Sequence, residues 1–425
     1  MKIYSLQEVY FHAKKHSDYY SSIYRDLPEH LMKLEDLPIV DLKLFWKMNS
    51  LHNNHVLTGP LSDAIVFKSG GTTGNPKFSV YTREEWDTFT ALFGWGMARS
   101  AIQNEDRVAN LFYAGDLYAS FLFIHDSLEH CTKPSVNFPI SGSVEAEHLA
   151  DIINEFRINV LAGVPTTIVG FCQTFQRLNI RMPSINKIIF GGESIYSDQR
   201  RLLESVFPGV IIQSIGIASV DGGLLGYFGT DCLLDQHRCF DQGTIVEIVD
   251  DFGRPITTVG EPGQMLVTSL TRKLMPILRY PAGDRAMWTE KPLVDRKYQI
   301  LGRSEEGARV GPVTIYFDDV YKLLELHRTE FNIEGFQLVA DRYQELDRLV
   351  LRVQSAIRSD KQADAELKIL RSLYAERPML QELVVGCKVA IPKVDWANVL
   401  EVNKRTGKLK RVIDLRKDEY AKKNT

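Results

Sequence analysis

HLADIINEFRI (148–158), NVLAGVP (159–165), SINKIIFGGES (184–194), SDQRRLLESVF (197–207) and VIIQSIG (210–216) decide the fold class. The first and fourth place apolar residues at helical spacing; the others are short apolar runs closed by glycine, proline or serine, as buried strands are. Strands alternating with helices predict a mostly parallel sheet covered by helices, an α/β architecture. Gly191 and Gly192 follow KIIF, so they fall at a strand's carboxyl end, where ligands of open α/β sheets sit. A plain strand-to-helix turn with Ser194 or Ser197 as the cap also fits these residues.

Upstream, DRVANLFY (106–113) reads as another buried strand leading to a loop at Ala114-Gly115-Asp116, and REEWDTFTALFGWGMARSAI (83–102) reads as a helix. Before that helix, DAIVFKSGGTTGNPKFSVYT (63–82) has two β-prone runs around KSGGTTGNPK (68–77), predicting a strand, a glycine-rich loop and a second strand. Glycines let backbone N–H groups close on an anion, and hydroxyls and lysine add donors and charge. The G-x-x-x-x-G-K-[ST] nucleotide motif is not met, because Gly74 is followed by Asn75-Pro76-Lys77. Composition alone leaves a phosphate site and a solvated turn both open. The first sixty or so residues read as helices and connectors.

Downstream, residues 225–303 change to short strands and turns, among them TIVEIVDDFGRPI (244–256) and GQMLVTSLT (263–271), which predict antiparallel pairs. After LGRSEEG (301–307) the pattern changes again. IYFDDVYKLLELH (315–327) is helical, FQLVADRYQELDRLVLRVQ (336–354) reads as a hairpin, DAELKILRSLYAE (364–376) as a helix and LVVGCKVAI (383–391) as a strand. A small α+β C-terminal domain follows, dividing the chain into 1–303 and 304–425.

With 425 residues the chain exceeds what one hydrophobic core serves, in keeping with that division. A net charge of -3 supplies no general drive toward nucleic acid or an anionic membrane. No stretch reaches the roughly 20 apolar residues of a membrane helix, and the N-terminus lacks the apolar run of a signal peptide. A cytoplasmic protein is expected, and five scattered cysteines suit a reducing compartment.

SGGTTGNPK (69–77), GGES (191–194), SIGIAS (214–219), RYPAGD (279–284), LGRSEE (301–306) and KRTGKLKRVID (404–414), in this order, resemble the motif series of adenylate-forming enzymes. The likeness is to the phenylacetate-CoA ligase branch and to adenylating proteins of phenazine antibiotic biosynthesis. It implies a large N-terminal adenylate-forming domain of mixed sheets and helices that binds ATP and a carboxylic acid, and a small mobile lid domain. An acyl adenylate forms with release of pyrophosphate, and the acyl group then passes to a nucleophile, coenzyme A in most relatives. An amine, hydroxyl or protein thiol is the alternative acceptor, and relatives are often homodimers.

By the same resemblance Ser69, Gly70, Gly71, Thr72, Thr73, Gly74 and Lys77 hold the β and γ phosphates of ATP. Gly191, Gly192, Glu193, Ser214 and Gly216 line the adenine and acyl pocket. Asp284 accepts from the ribose hydroxyls, Arg303 reaches ribose or phosphate, and Lys408 contacts the carboxylate and α-phosphate. The chemistry suits these residue types, since a carboxylate attacking phosphorus brings two anions together and needs donors, lysine and magnesium.

The chain departs from the family at 215–219, where Ile215, Gly216, Ile217, Ala218 and Ser219 replace an aromatic-glycine-x-threonine-glutamate segment. Asp221 and Ser219 are the nearest replacements for the magnesium ligands, since Mg²⁺ needs only one or two carboxylates beside phosphates. GARVGPVTIYF (307–317) lacks the lysine or arginine followed by glycine that, by the same resemblance, shapes a coenzyme A tunnel. Cys232, His237 and Cys239 have the spacing of a partial zinc site, with ordinary unligated side chains the favoured reading. Asp116 and His125, with Phe112, Tyr113, Tyr118 and Phe121, fit the wall of a pocket for an aromatic acid.

Overall fold

The structure is a computed structural model, in which residues 1–50, 52–69, 77–193, 195, 197–303, 307–310, 313–344, 346–403 and 408–416 are described. The chain forms two compact units, Met1–Leu301 and Gly302–Thr425.

In the first unit β1 (Ala64–Ser69) and β2 (Lys77–Thr82) pair antiparallel from Ala64↔Thr82 to Ser69↔Lys77, so the glycine-rich segment joins the two ends of a hairpin. Thr82 and Glu85 form a reciprocal cap on the helix Arg83–Ser100 that follows. The parallel sheet comprises β3 (Arg107–Asn110), β4 (Val136–Pro139), β5 (Val160–Gly163), β6 (Lys187–Phe190) and β7 (Ile211–Ser214), in the order β4-β3-β5-β6-β7. Every residue of β5 and β6 is buried, which is why VLAG and KIIF read as unbroken runs rather than alternating ones. Ile188 packs with Leu149, Phe175 and Leu203 on one face, and Ile189 with Phe93 and Phe123 on the other. Lys187, the charged residue in that run, is buried against Asp106, with Nζ 2.6 Å from Oδ2.

From β3 the chain steps out to β4 and returns past β3 to β5, so the direction of winding reverses between β3 and β5. A reversal of this kind is where open α/β sheets place their ligand crevice, at the carboxyl ends of those strands. A short hairpin, β8 (Ile217–Ser219) and β9 (Gly223–Gly226), follows. The second sheet has β10 (Gln236–Arg238), β11 (Thr244–Val249), β12 (Pro262–Ser269), β13 (Tyr280–Trp288) and β14 (Lys297–Arg303) in the order β10-β14-β13-β12-β11. The N-terminal helices Leu6–His16, Asp18–Ile23 and Leu42–Met48 share its core, where Tyr10, Tyr20 and Phe45 meet Met265, Ile277 and Tyr298.

The second unit contains the hairpin β15 (Gly307–Val310) and β16 (Val313–Tyr316) and a sheet of β17 (Ile333–Tyr343), β18 (Leu346–Ser355), β19 (Lys393–Ala397) and β20 (Val412–Asp414), ordered β19-β18-β17-β20. Helices Phe317–Glu325 and Gln362–Glu376 bury their apolar sides. The expected strand at 383–391 does not form. Pro378 starts a helix, Pro378–Val385, that buries Leu380 and Leu383, and the strand comes later, at β19. Proline at the first helical position, with leucines at helical spacing, outweighs the β preference of Val384 and Val385.

Candidate active site

The crevice is built from loops that leave β3, β5, β6 and β7. Leu111 N–H donates to Ala162 O at 2.8 Å, extending the β3–β5 pairing by one residue. Beyond it Thr167 Oγ1 donates to the Tyr113 hydroxyl at 3.2 Å, a bond that spans the switch point. Gly142 packs under this loop, where a Cβ would meet Leu111 O at 2.4 Å. Helix Pro165–Arg177 begins at the end of β5 with Pro165 at its first position. Its next residue, Thr166, donates to Glu193 Oε2 through Oγ1 at 2.6 Å and through N–H at 3.3 Å. A carboxylate thus sits on a helix N-terminus, where the partial positive charge of free N–H groups favours it. Gly191 N–H continues the β5–β6 ladder to Gly163 O at 3.3 Å, and a Cβ on Gly191 would come 2.8 Å from Ile215 Cγ2.

At the exit of β7 the chain turns through Gly216, whose φ is +116°. The Ser214 hydroxyl accepts the Gly216 N–H at 3.1 Å and lies 2.9 Å from His237 Nε2, all within buried structure. Burial pushes the His237 imidazole down to about 3, so it is neutral. Cys239 is buried, and the Cys232 thiol accepts from Gly229 N–H at 3.3 Å. Among the described residues no group of three or more His, Cys, Asp or Glu side chains could hold a metal ion.

The β1–β2 hairpin is tied to this crevice at three points. Lys68 N–H donates to Leu117 O at 2.9 Å, and Lys68 Nζ pairs with Asp116 at 3.6 Å, joining the end of β1 to the loop after β3. From β2, Ser79 Oγ donates to Asp221 Oδ1 at 2.9 Å and Tyr81 donates to Val220 O at 2.8 Å. Arg272, fully buried, donates to Asp221 O at 2.7 Å and Val80 O at 3.0 Å and lies 3.9 Å over the Tyr81 ring. Burial of Tyr81 pushes its phenol up to about 12. Ser219 Oγ accepts the Gly222 N–H at 2.8 Å, closing the β8–β9 turn that carries Asp221.

The structure therefore brings together Ser69, Lys77, Gly191, Gly192, Glu193, Gly216, Ser219 and Asp221 on adjoining elements of the first unit. Gly70, Gly71, Thr72, Thr73 and Gly74 lie outside the described residues. Asp284 is a buried residue of β13 and Arg303 ends β14. Lys408 belongs to the second unit, where its carbonyl accepts from Asn403 N–H at 2.7 Å, and nearby Lys410 pairs with Glu401 at 3.0 Å. His125 lies on the helix Ser120–Glu129, its Nδ1 2.8 Å from Asn137 Nδ2. Asp116 pairs with Lys68 Nζ at 3.6 Å.

Three contributors escape sequence reasoning. Thr166 had a usable signal in Val164-Pro165, a strand end followed by a helix start. Arg272 and Trp46 had none, since each acts across more than thirty residues, on Tyr81 and on Lys77 respectively.

No family model matches the chain. The fold is shared with 2-hydroxyisobutyryl-CoA ligase solved with its acyl adenylate, at a TM-score of 0.71 and 20% identity over 99% of this chain and 90% of that one. Among curated proteins, indoleacetate-lysine synthetase of Pseudomonas savastanoi is 28% identical over 66% of this chain and 65% of its own length. Phenylacetate-coenzyme A ligase of Thermus thermophilus is 26% identical over 92% of this chain and 89% of its own. In sequence the chain is thus similar to phenylacetate-coenzyme A ligases and to an indoleacetate-lysine synthetase.

Proposed function

We propose that this protein is an AMP-forming ligase that activates a small carboxylic acid, of aromatic character, as its acyl adenylate and passes the acyl group to coenzyme A. The observation that carries the reading is the meeting of three segments at one crevice: the hairpin flanking the glycine-rich loop, Gly191 to Glu193, and Ile215 to Asp221. Phe112, Tyr113, Tyr118 and Phe121 around the loop after β3 supply the aromatic side of the pocket.

In the reaction a carboxylate oxygen forms a bond to the α-phosphorus of ATP while the bond to the pyrophosphate oxygen breaks, and magnesium pyrophosphate leaves. The glycine-rich loop and Lys77 hold the β and γ phosphates, Asp284 accepts from the ribose, Arg303 reaches ribose or phosphate, and Lys408 neutralises the reacting carboxylate and α-phosphate. Mg²⁺ enters with ATP. Asp221, whose Oδ1 accepts from Ser79 Oγ, would offer one carboxylate to that ion, with Ser219 beside it.

A second reading sends the acyl group to an amine, hydroxyl or carrier thiol, in a natural-product pathway such as antibiotic biosynthesis. The likeness to indoleacetate-lysine synthetase and the missing basic-glycine pair after Arg303 favour it. A cytoplasmic homodimer completes the proposal. No described helix is long and apolar enough to cross a membrane. The test is acid-dependent exchange of pyrophosphate into ATP over a panel of aromatic and aliphatic acids, with magnesium and without coenzyme A. Exchange with one acid class supports adenylation, and adding coenzyme A or free amino acids then identifies the acceptor by product mass. Absence of exchange in protein that binds ATP would point to a nucleotide-binding homologue without catalysis.

A further inference from the structure

Lys77 closes the glycine-rich loop, and its ammonium lies 5.4 Å from the ring centroid of Trp46. That distance is within cation–π range. Trp46 comes from helix Leu42–Met48, upstream of every motif that carries the resemblance to adenylate-forming enzymes. The indole is held firmly: Nε1 donates to the Tyr280 hydroxyl at 3.2 Å, and the ring meets the fully buried Phe45 edge-on at 5.1 Å. One residue past the helix, Asn49 Nδ2 donates to Phe78 O at 2.8 Å, fastening the helix end to the residue next to Lys77. Tyr280 opens β13, the strand that also carries Asp284. Trp46 thus links the end of the phosphate loop to the strand bearing the ribose candidate.

The chemistry of the contact matters. A carboxylate partner would neutralise Lys77 and compete with an incoming phosphate. An aromatic face restrains the long side chain while leaving its full positive charge for an anion, which lowers the conformational entropy lost on binding.

We propose that Trp46 is a positioning residue for polyphosphate binding, holding the Lys77 ammonium at the mouth of the β1–β2 hairpin so that a pyrophosphate group meets it already placed. The proposal rests on the reading of the glycine-rich loop as a phosphate site.

The test uses the full chain and four variants: Trp46→Leu, Trp46→Phe, Lys77→Met and the double variant Trp46→Leu/Lys77→Met. Dissociation constants for magnesium pyrophosphate and ATP are measured by titration calorimetry. Trp46→Leu is expected to weaken pyrophosphate binding about three-fold, while Trp46→Phe, which keeps a ring face, stays close to wild type. In the Lys77→Met background, Trp46→Leu should cause no further loss, because the contact it removes is already gone. An unchanged constant in Trp46→Leu, or an equal loss with and without Lys77, overturns the positioning role. Wild-type protein that binds neither ligand overturns the phosphate reading of the loop itself, and this proposal with it.

Discussion

The hydroxyl of Ser214 lies 2.9 Å from His237 Nε2 and also accepts the N–H of Gly216, so a buried imidazole sets the backbone where the chain leaves the parallel sheet. Its pKa, held by burial at about 3, lies below the 6.5 of a solvated histidine. The unfolded chain therefore binds the proton first, and stability is lost as pH falls from 6.5 toward 3. By pH 5 the loss from this group is on the order of 2 kcal/mol. Urea unfolding of wild type and His237→Gln between pH 7 and 5 checks this. The gap between the two should narrow as pH falls, and a constant gap would contradict a neutral buried histidine.

Two glycines should respond oppositely to alanine. Gly216, at φ +116°, would carry a Cβ 2.9 Å from the Phe93 ring, whereas a Cβ on Gly170 in helix Pro165–Arg177 meets nothing within 4 Å. Gly216→Ala is expected to cost about 1–3 kcal/mol and to weaken ATP binding. Gly170→Ala should stabilise by about 0.5–1 kcal/mol. Thermal melts with ATP titrations separate the two outcomes.

Asp284 and Lys408 should divide binding from chemistry. Asp284→Ala is expected to raise the ATP dissociation constant at least about ten-fold, the loss of a charged acceptor for two hydroxyls. Lys408→Ala should fold and bind ATP normally yet lose pyrophosphate exchange by on the order of a hundred-fold or more. Wild-type exchange in Lys408→Ala would refute its role in adenylation.

The buried Lys187–Asp106 pair is a stability determinant away from the crevice, with Nζ and Oδ2 2.6 Å apart. Asp106→Ala strands the ammonium and is expected to cost about 3–5 kcal/mol, while Lys187→Met combined with Asp106→Leu should recover much of that loss. Equilibrium unfolding of wild type and the two variants provides the comparison.

The parallel sheet was legible because burial on both faces forces continuous apolar strands, and short loops with glycine mark their ends, as in KIIF before Gly191. The hairpin around residues 70–76 and the long hairpin at β17 and β18 were legible for the same local reason: period, propensity and turn residues all lie within one short window. The six short motifs from SGGTTGNPK to KRTGKLKRVID could be read in order because each is local in sequence. Local patterns were insufficient at 378–385, where packing of Leu380 and Leu383 made a helix of residues that favour a strand.

What only the tertiary structure decided is which distant residues meet. Glu193 caps the helix after β5, Asp221 is oriented from β2, and Trp46 lies over Lys77, through contacts that join segments 27, 142 and 31 positions apart. Sequence periodicity records which face of an element is apolar, but not which polar side chains of other elements will stand opposite its ends. Those pairings follow from sheet order and from the reversal of winding between β3 and β5, where the carboxyl ends of the strands open the crevice.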